Sequence, residues 1–219
     1  MTPEELIDSE WLDRPLSQLQ TESADQLDTA IKFVASFLPE ETRLRSLLLT
    51  HSRCVGRKAL EIAGIYADLH PELPTPDLQF IAEASLLHDI GIEACDAPGI
   101  FCYGQLPYIC HGIEGSRKLA EAGKFRHALV CERHTGSGLT AEEIEEEALP
   151  LPVRDMLPES IEEKIICYAD KFFSKNPDSL TKEKSLSEIR KSMEKFGPEP
   201  LRRFDKLTEE LTTPTDPEQ

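Results

Sequence analysis

Residues 75–91 read TPDLQFIAEASLLHDIG. Thr75-Pro76-Asp77 offers a helix cap, and Leu78, Ile81, Ala84, Ser85, Leu87 and His88 recur at helical spacing, with Gly91 at the expected C′ position. The stripe that would bury Ile81 and Ala84 therefore ends on an imidazole and, one residue later, a carboxylate. A buried carboxylate without a partner costs several kcal/mol, on the order of a lost ion pair.

Helix signals continue on both sides. Upstream, Thr2-Pro3-Glu4-Glu5 is a capping box, and Ser23-Ala24-Asp25-Gln26 opens an amphipathic stretch with Leu27, Ile31, Val34 and Leu38. From Glu40 to about Leu69 the chain has no proline, and Leu47, Leu48, Val55, Ala59, Ile62 and Tyr66 repeat at about 3.6 residues. One long helix, or two joined, is expected there until His70-Pro71 stops it.

Downstream, residues 92–110 hold Pro98, Gly99, Gly104 and Pro107 and read as an irregular loop. Gly112 to Ala122 and Lys124 to His134 read as two short helices. Thr140-Ala141-Glu142-Glu143 is a further capping box, and Leu149 to Pro158 a connector. Ser160-Ile161-Glu162-Glu163 starts a helix carrying Ile165, Ile166, Ala169, Phe172 and Phe173, with amphipathic helices following to Leu211.

No stretch has convincing β alternation. The fold expected is all-α: N-terminal helices over 1–44, a metal-site domain over 45–175, and C-terminal helices with a frayed tail over 176–219. The outer helices could pack on this domain or make a homodimer.

The chain of 219 residues carries 24 Lys plus Arg against 41 Asp plus Glu, a net charge of −17. That acidity disfavours nucleic acid or an anionic membrane as the main partner. No basic n-region or long apolar run is seen, so a cytoplasmic location is expected. The six cysteines form no C-x-x-C pair and read as reduced core thiols.

His51 shares a helical face with Leu47 and Val55, and Asp170 one with Ile166 and Phe173, so both point at a core. A lone core histidine is usually a hydrogen-bonded structural residue. Together, His51, His88-Asp89, His111, His134 and Asp170 are harder to explain that way, and a divalent cation shared with imidazoles is one solution to their burial. His70 and His127 read as surface or capping residues, and Glu142–Glu147 as a solvated face.

The order H…HD…H…H…D, with the doublet inside LLHDIG, resembles the HD-domain superfamily of metal-dependent phosphohydrolases, in its HDIG branch. The segments PYICHGIEGSRKL, CERHTGSGLTAEEI and ICYADKFFSK are similar to a little-described prokaryotic group of HD-domain proteins. The resemblance implies one metal on His51, His88, Asp89 and Asp170, and a second on His111 and His134, with Asp89 bridging them as the catalytic carboxylate.

It further implies two divalent ions (Fe, Mn, Mg or Zn) and a metal-activated hydroxide that cleaves a phosphomonoester or phosphoanhydride of a small molecule such as a nucleotide. A di-iron oxygenase and a non-catalytic nucleotide-binding module are the alternatives on the same ligands. Where several relatives carry Lys or Glu three residues after the doublet, this chain has Ile92. Glu93 reads as a solvated loop acid, which leaves Arg53, Arg133 and Lys171 as candidate cations for a phosphorylated substrate.

Overall fold

The computed structural model describes residues 43–213. The capping box and amphipathic stretch read before Arg43, and the tail after Thr213, lie outside the described residues.

The architecture is mostly helical. Helix α1 (Arg43–Leu69) is a single 27-residue element whose buried face includes Leu44, Leu47, Leu48, His51, Val55, Ala59, Ile62 and Tyr66, the 3.6-residue repeat read from sequence. Gly56 lets α1 run close to the next helix, since a Cβ there would meet that of Ser85 at 3.3 Å. Pro71 follows the last turn.

Helix α2 (Leu78–Leu87) is capped by Asp77, whose side chain accepts a hydrogen bond from Phe80 N at 3.0 Å. The α-helical pattern ends at Leu87, and tight turns carry the chain to Gly91. Gly91 is not the left-handed C′ glycine expected: its φ is −86°. Its Cβ would lie 2.2 Å from His111 O and 2.3 Å from Gly115 N, so glycine is needed there for close backbone approach.

The segment read as wholly irregular contains a small ribbon: β1 (Asp96–Ala97) pairs antiparallel with β2 (Cys102–Tyr103). Two-residue strands are too short to show alternation in a sequence. Then come α3 (His111–Glu121), α4 (Phe125–Arg133), α5 (Ala141–Glu146), α6 (Ile161–Asp170), α7 (Leu186–Met193) and α8 (Pro198–Thr212). Serine, threonine and proline start several of these: Thr140 and Ser185 make complete capping boxes, Ser160 accepts from Glu163 N, and Pro198 opens α8.

Helix α1 packs on α2, α6 and α8, while α3 packs on α4. One apolar cluster joins Val55, Ile62, Ile81, Ile165, Ile166 and Tyr168 to Phe204, Leu207 and Leu211 of α8. The C-terminal helices thus pack on the central domain. A second cluster gathers Leu48, Leu87, Ile90, Ile92, Leu119 and Cys131. Each fully buried Leu or Ile contributes roughly 1.5–3 kcal/mol. His51, between Leu48 of one cluster and Val55 of the other on α1, marks where polar groups meet in between. Among the described residues no helix is long and apolar enough to cross a membrane.

Candidate metal centre

Five elements deliver the site. His51 comes from the middle of α1, His88 caps the C-terminus of α2 and Asp89 sits in the turn after it; His111 is the first residue of α3, His134 the C-cap of α4, and Asp170 the last residue of α6. Three helix C-termini therefore meet at the site, and their partial negative charge favours a cation.

Local chemistry fixes the imidazoles. Last-turn carbonyls have no partner within their own helix. His88 Nδ1 donates to Ser85 O at 2.7 Å, and His134 Nδ1 to Cys131 O at 2.8 Å. His111 repeats the pattern after a 3-10 turn, with Nδ1 donating to Tyr108 O at 2.7 Å. A carbonyl only accepts, so in the neutral rings the proton is on Nδ1 and the Nε2 lone pair faces the site.

Those Nε2 atoms converge on Asp89. Its Oδ2 lies 3.1 Å from His88 Nε2 and 3.4 Å from His51 Nε2; its Oδ1 lies 3.3 Å from His134 Nε2 and 3.4 Å from His111 Nε2. Asp170 Oδ1 closes the first group, 3.0 Å from His51 Nε2 and 3.5 Å from His88 Nε2. His51, His88, Asp89 and Asp170 thus form one metal-capable group and Asp89, His111 and His134 a second, all buried.

The donor set fits divalent cations. His88 Nε2 and Asp89 Oδ1 are buried without a hydrogen-bond partner, and metal coordination would satisfy both. His51, His88, Asp89 and Asp170 would hold one ion; His111 and His134 would hold another with Asp89 between. Imidazole plus carboxylate suits several divalent metals and selects none.

The electrostatics follow from burial and charge. Burial alone would lower the His88 pKa, but Asp89 and Asp170 raise it to about 9. His111 goes the other way, pushed down by burial to about 3, and burial also lowers His134. Burial opposes the charge on Asp89 and Asp170, yet the imidazolium of His88 and the ammonium of Lys175 hold Asp89 well below the carboxylate range, as Lys171 and Lys175 do for Asp170.

Lys175 is the site residue that sequence reasoning missed. Its Nζ lies 2.7 Å from Asp89 Oδ2 and 3.8 Å from Asp170 Oδ1. It follows the end of α6 by five residues, so helical periodicity could not place it; its presence in ICYADKFFSK was the one available signal. The three cations singled out from sequence have different places. Lys171 is at the centre, 2.6 Å from Asp170 Oδ2 and donating to His134 O at 3.0 Å. Arg133 is taken up by Glu163 at 2.9 Å and Glu159 at 3.2 Å. Arg53 is buried within α1.

Other expectations need correcting. Glu93 is not a solvated acid but pairs with Lys118, and Ile92 is in the second apolar cluster. His70 is buried against the Tyr66 ring, 4.5 Å between centroids. His127 is half-buried, beside Phe80 and 3.2 Å from Glu83. The acidic run is solvated as expected at Glu142 and at 145–147, while Ile144 is buried and Glu143 binds Arg203 at 2.7 Å. The cysteines match their reading as core thiols: all six are unpaired and buried, and none belongs to either metal-capable group.

No family model matches the chain, and no solved structure matches it significantly. Its curated relatives include two enzymes named for tRNA. The chain is 33% identical over 172 residues to a tRNA (cytidine(56)-2'-O)-methyltransferase of Picrophilus torridus, covering 76% of this chain and 42% of that protein. A protein of the same name from Thermoplasma volcanium is 30% identical over 58% of this chain and 32% of its own length. An uncharacterized protein of Methanocaldococcus jannaschii is 35% identical over 56% of this chain and 64% of its own. The chain thus spans less than two thirds of each.

Two of these names overturn the phosphohydrolase expectation: they name methyl transfer to RNA, not hydrolysis. The physical reason for the misreading is that a set of histidines and aspartates specifies a cation and leaves the reaction open.

Proposed function

We propose that this chain is a metal-binding helical unit, with an HD-type ligand order, that serves the 2'-O-methylation of tRNA, engaging a nucleotide beside two divalent ions. The observation that carries the metal part is Asp89, whose two carboxylate oxygens each face a separate set of imidazole nitrogens. The similarity to two tRNA (cytidine(56)-2'-O)-methyltransferases supports the tRNA part. Since the chain covers less than half of either, we read the shared part as the unit that presents tRNA and not as the whole of the activity.

When bound, the ions would supply concentrated positive charge able to orient RNA oxygens. The chain's own residues do the rest. The carbonyls of Ser85, Tyr108 and Cys131 accept hydrogen bonds from the Nδ1 atoms of three rings and so aim each Nε2 at the site. Lys171 and Lys175 keep the carboxylates ionised. A net charge of −17 opposes broad contact with RNA, so recognition is confined to one nucleotide at the centre, and a cytoplasmic location accords with such a substrate.

The test is metal analysis together with tRNA binding. Metal-loaded protein should bind two ions per chain and retain labelled unmodified tRNA in a filter-binding assay. Absence of tRNA binding with the metal in place overturns the tRNA reading, and absence of metal after reloading overturns the metal reading.

A further inference from the structure

A concavity lies against the metal centre, bordering it at His111. It encloses about 390 Å³, within the range of small-molecule sites. His111 and Tyr108 border it on the metal side, while Leu139, Leu149, Met193 and Pro200 give it apolar walls. Tyr108 stacks on His111 with centroids 4.6 Å apart and planes at 21°, so the wall is continuous with a metal-capable group.

Two features narrow the ligand. Phe196, which also lines the cavity, leaves 68% of its surface exposed, an aromatic face free to be covered by a planar ring. Glu147 is the second. The other acid there, Glu143, is held by Arg203 and by Thr140 N, whereas among the described residues no ion pair is seen for the Glu147 carboxylate. A carboxylate only accepts hydrogen bonds, so it selects a ring edge that donates. Gly136, with φ of 60°, presents bare backbone on one side, where a Cβ would meet nothing within 4 Å.

We propose that this cavity binds the base of a cytosine nucleotide, stacked on Phe196 with its exocyclic amino group toward Glu147. The assignment rests on the tRNA reading above and deepens it by naming the base-recognition site. Cytosine offers an amino donor where uracil offers a carbonyl, which would oppose the carboxylate and lose the bond. The cavity reaches His111, so the sugar of a bound nucleotide falls on the side of the metal ligands. Capture of one base also suits a chain too acidic to follow a phosphate backbone.

The experiment titrates cytidine 5'-monophosphate and uridine 5'-monophosphate into metal-loaded protein by calorimetry. Cytidine monophosphate should bind about tenfold more tightly, the worth of one good hydrogen bond to a charged group. Glu147→Gln should erase that preference, and Phe196→Ala, at an exposed position that leaves folding intact, should weaken both nucleotides with metal content unchanged. Equal affinities in the wild type, or binding of neither, overturn the assignment. If neither binds while tRNA is still bound, the cavity assignment falls and the tRNA reading stands. Preferential cytidine binding without tRNA binding has the opposite meaning: the cavity assignment stands and the tRNA reading falls.

Discussion

His111 Nε2 and His134 Nε2 lie 3.1 Å apart, and the Nδ1 of each is tied to a backbone carbonyl. Two nitrogens with protons committed elsewhere face each other lone pair to lone pair. That arrangement repels unless a cation or a proton stands between them.

The first prediction concerns stoichiometry. His111→Ala removes a donor from one metal-capable group only and should lower bound metal from two ions per chain to one by elemental analysis. Asp89→Asn touches both groups and should lower it further. Two ions retained in the His111 variant would show that this imidazole is not a ligand.

Chelation should lower thermal stability. Metal present at about a hundred times its dissociation constant contributes about 2.7 kcal/mol by linkage. Differential scanning calorimetry before and after dialysis against a chelator should register a drop of several degrees, restored by reloading. An unchanged midpoint would count against metal in the native state.

Two glycines should respond with opposite signs. Gly91→Ala drives a Cβ into the backbone of His111 and Gly115, so urea denaturation should show a loss at the severe end of the range for point mutants, about 4 kcal/mol or more. Gly64 lies in α1 with nothing within 4 Å of its added Cβ. Gly64→Ala should gain about 0.5–1 kcal/mol.

How α8 is anchored can be tested by Phe204→Ala. The ring is 1% exposed and stacks on Tyr168 with centroids 5.3 Å apart. Its removal should cost about 3–5 kcal/mol. A negligible loss would mean that the C-terminal helices are only loosely attached.

The Glu143–Arg203 pair sets an acid limb. Burial opposes ionisation of Glu143, but the hydrogen bond from Thr140 N and the Arg203 guanidinium lower its pKa below the usual 4.5. A carboxyl lowered in the folded state contributes stability above the unfolded value and loses it as pH falls through the folded one. The gap in denaturation midpoint between wild type and Glu143→Gln should therefore be full at pH 6 and shrink below pH 4.5.

Much of the fold was legible in residue order, and the remainder for definable reasons was not. Asp77, Thr140 and Ser160 each act on the residue three places on, so their capping can be read locally. The inward faces of His51 and Asp170 followed from helical spacing. Lys175 could not be placed that way, because it lies beyond the end of α6 and reaches Asp89 through the fold. Gly91 was recognised as necessary for the wrong reason, since its constraint comes from α3, twenty residues away. His70 looked superficial because it ends a helix, yet Tyr66 one turn earlier covers it. The reaction was least legible, because ligand atoms are shared among chemistries.

His51 and Asp170 are 119 residues apart and touch at 3.0 Å. An ion gripping both would act as a reversible cross-link over most of the folded chain. For a covalent bridge, closing a loop of this size removes entropy worth roughly 4–5 kcal/mol from the unfolded ensemble. In a protein whose six thiols are all unpaired, the cation would assume the tethering task that sulfur performs elsewhere, and its supply would govern how long the chain stays folded.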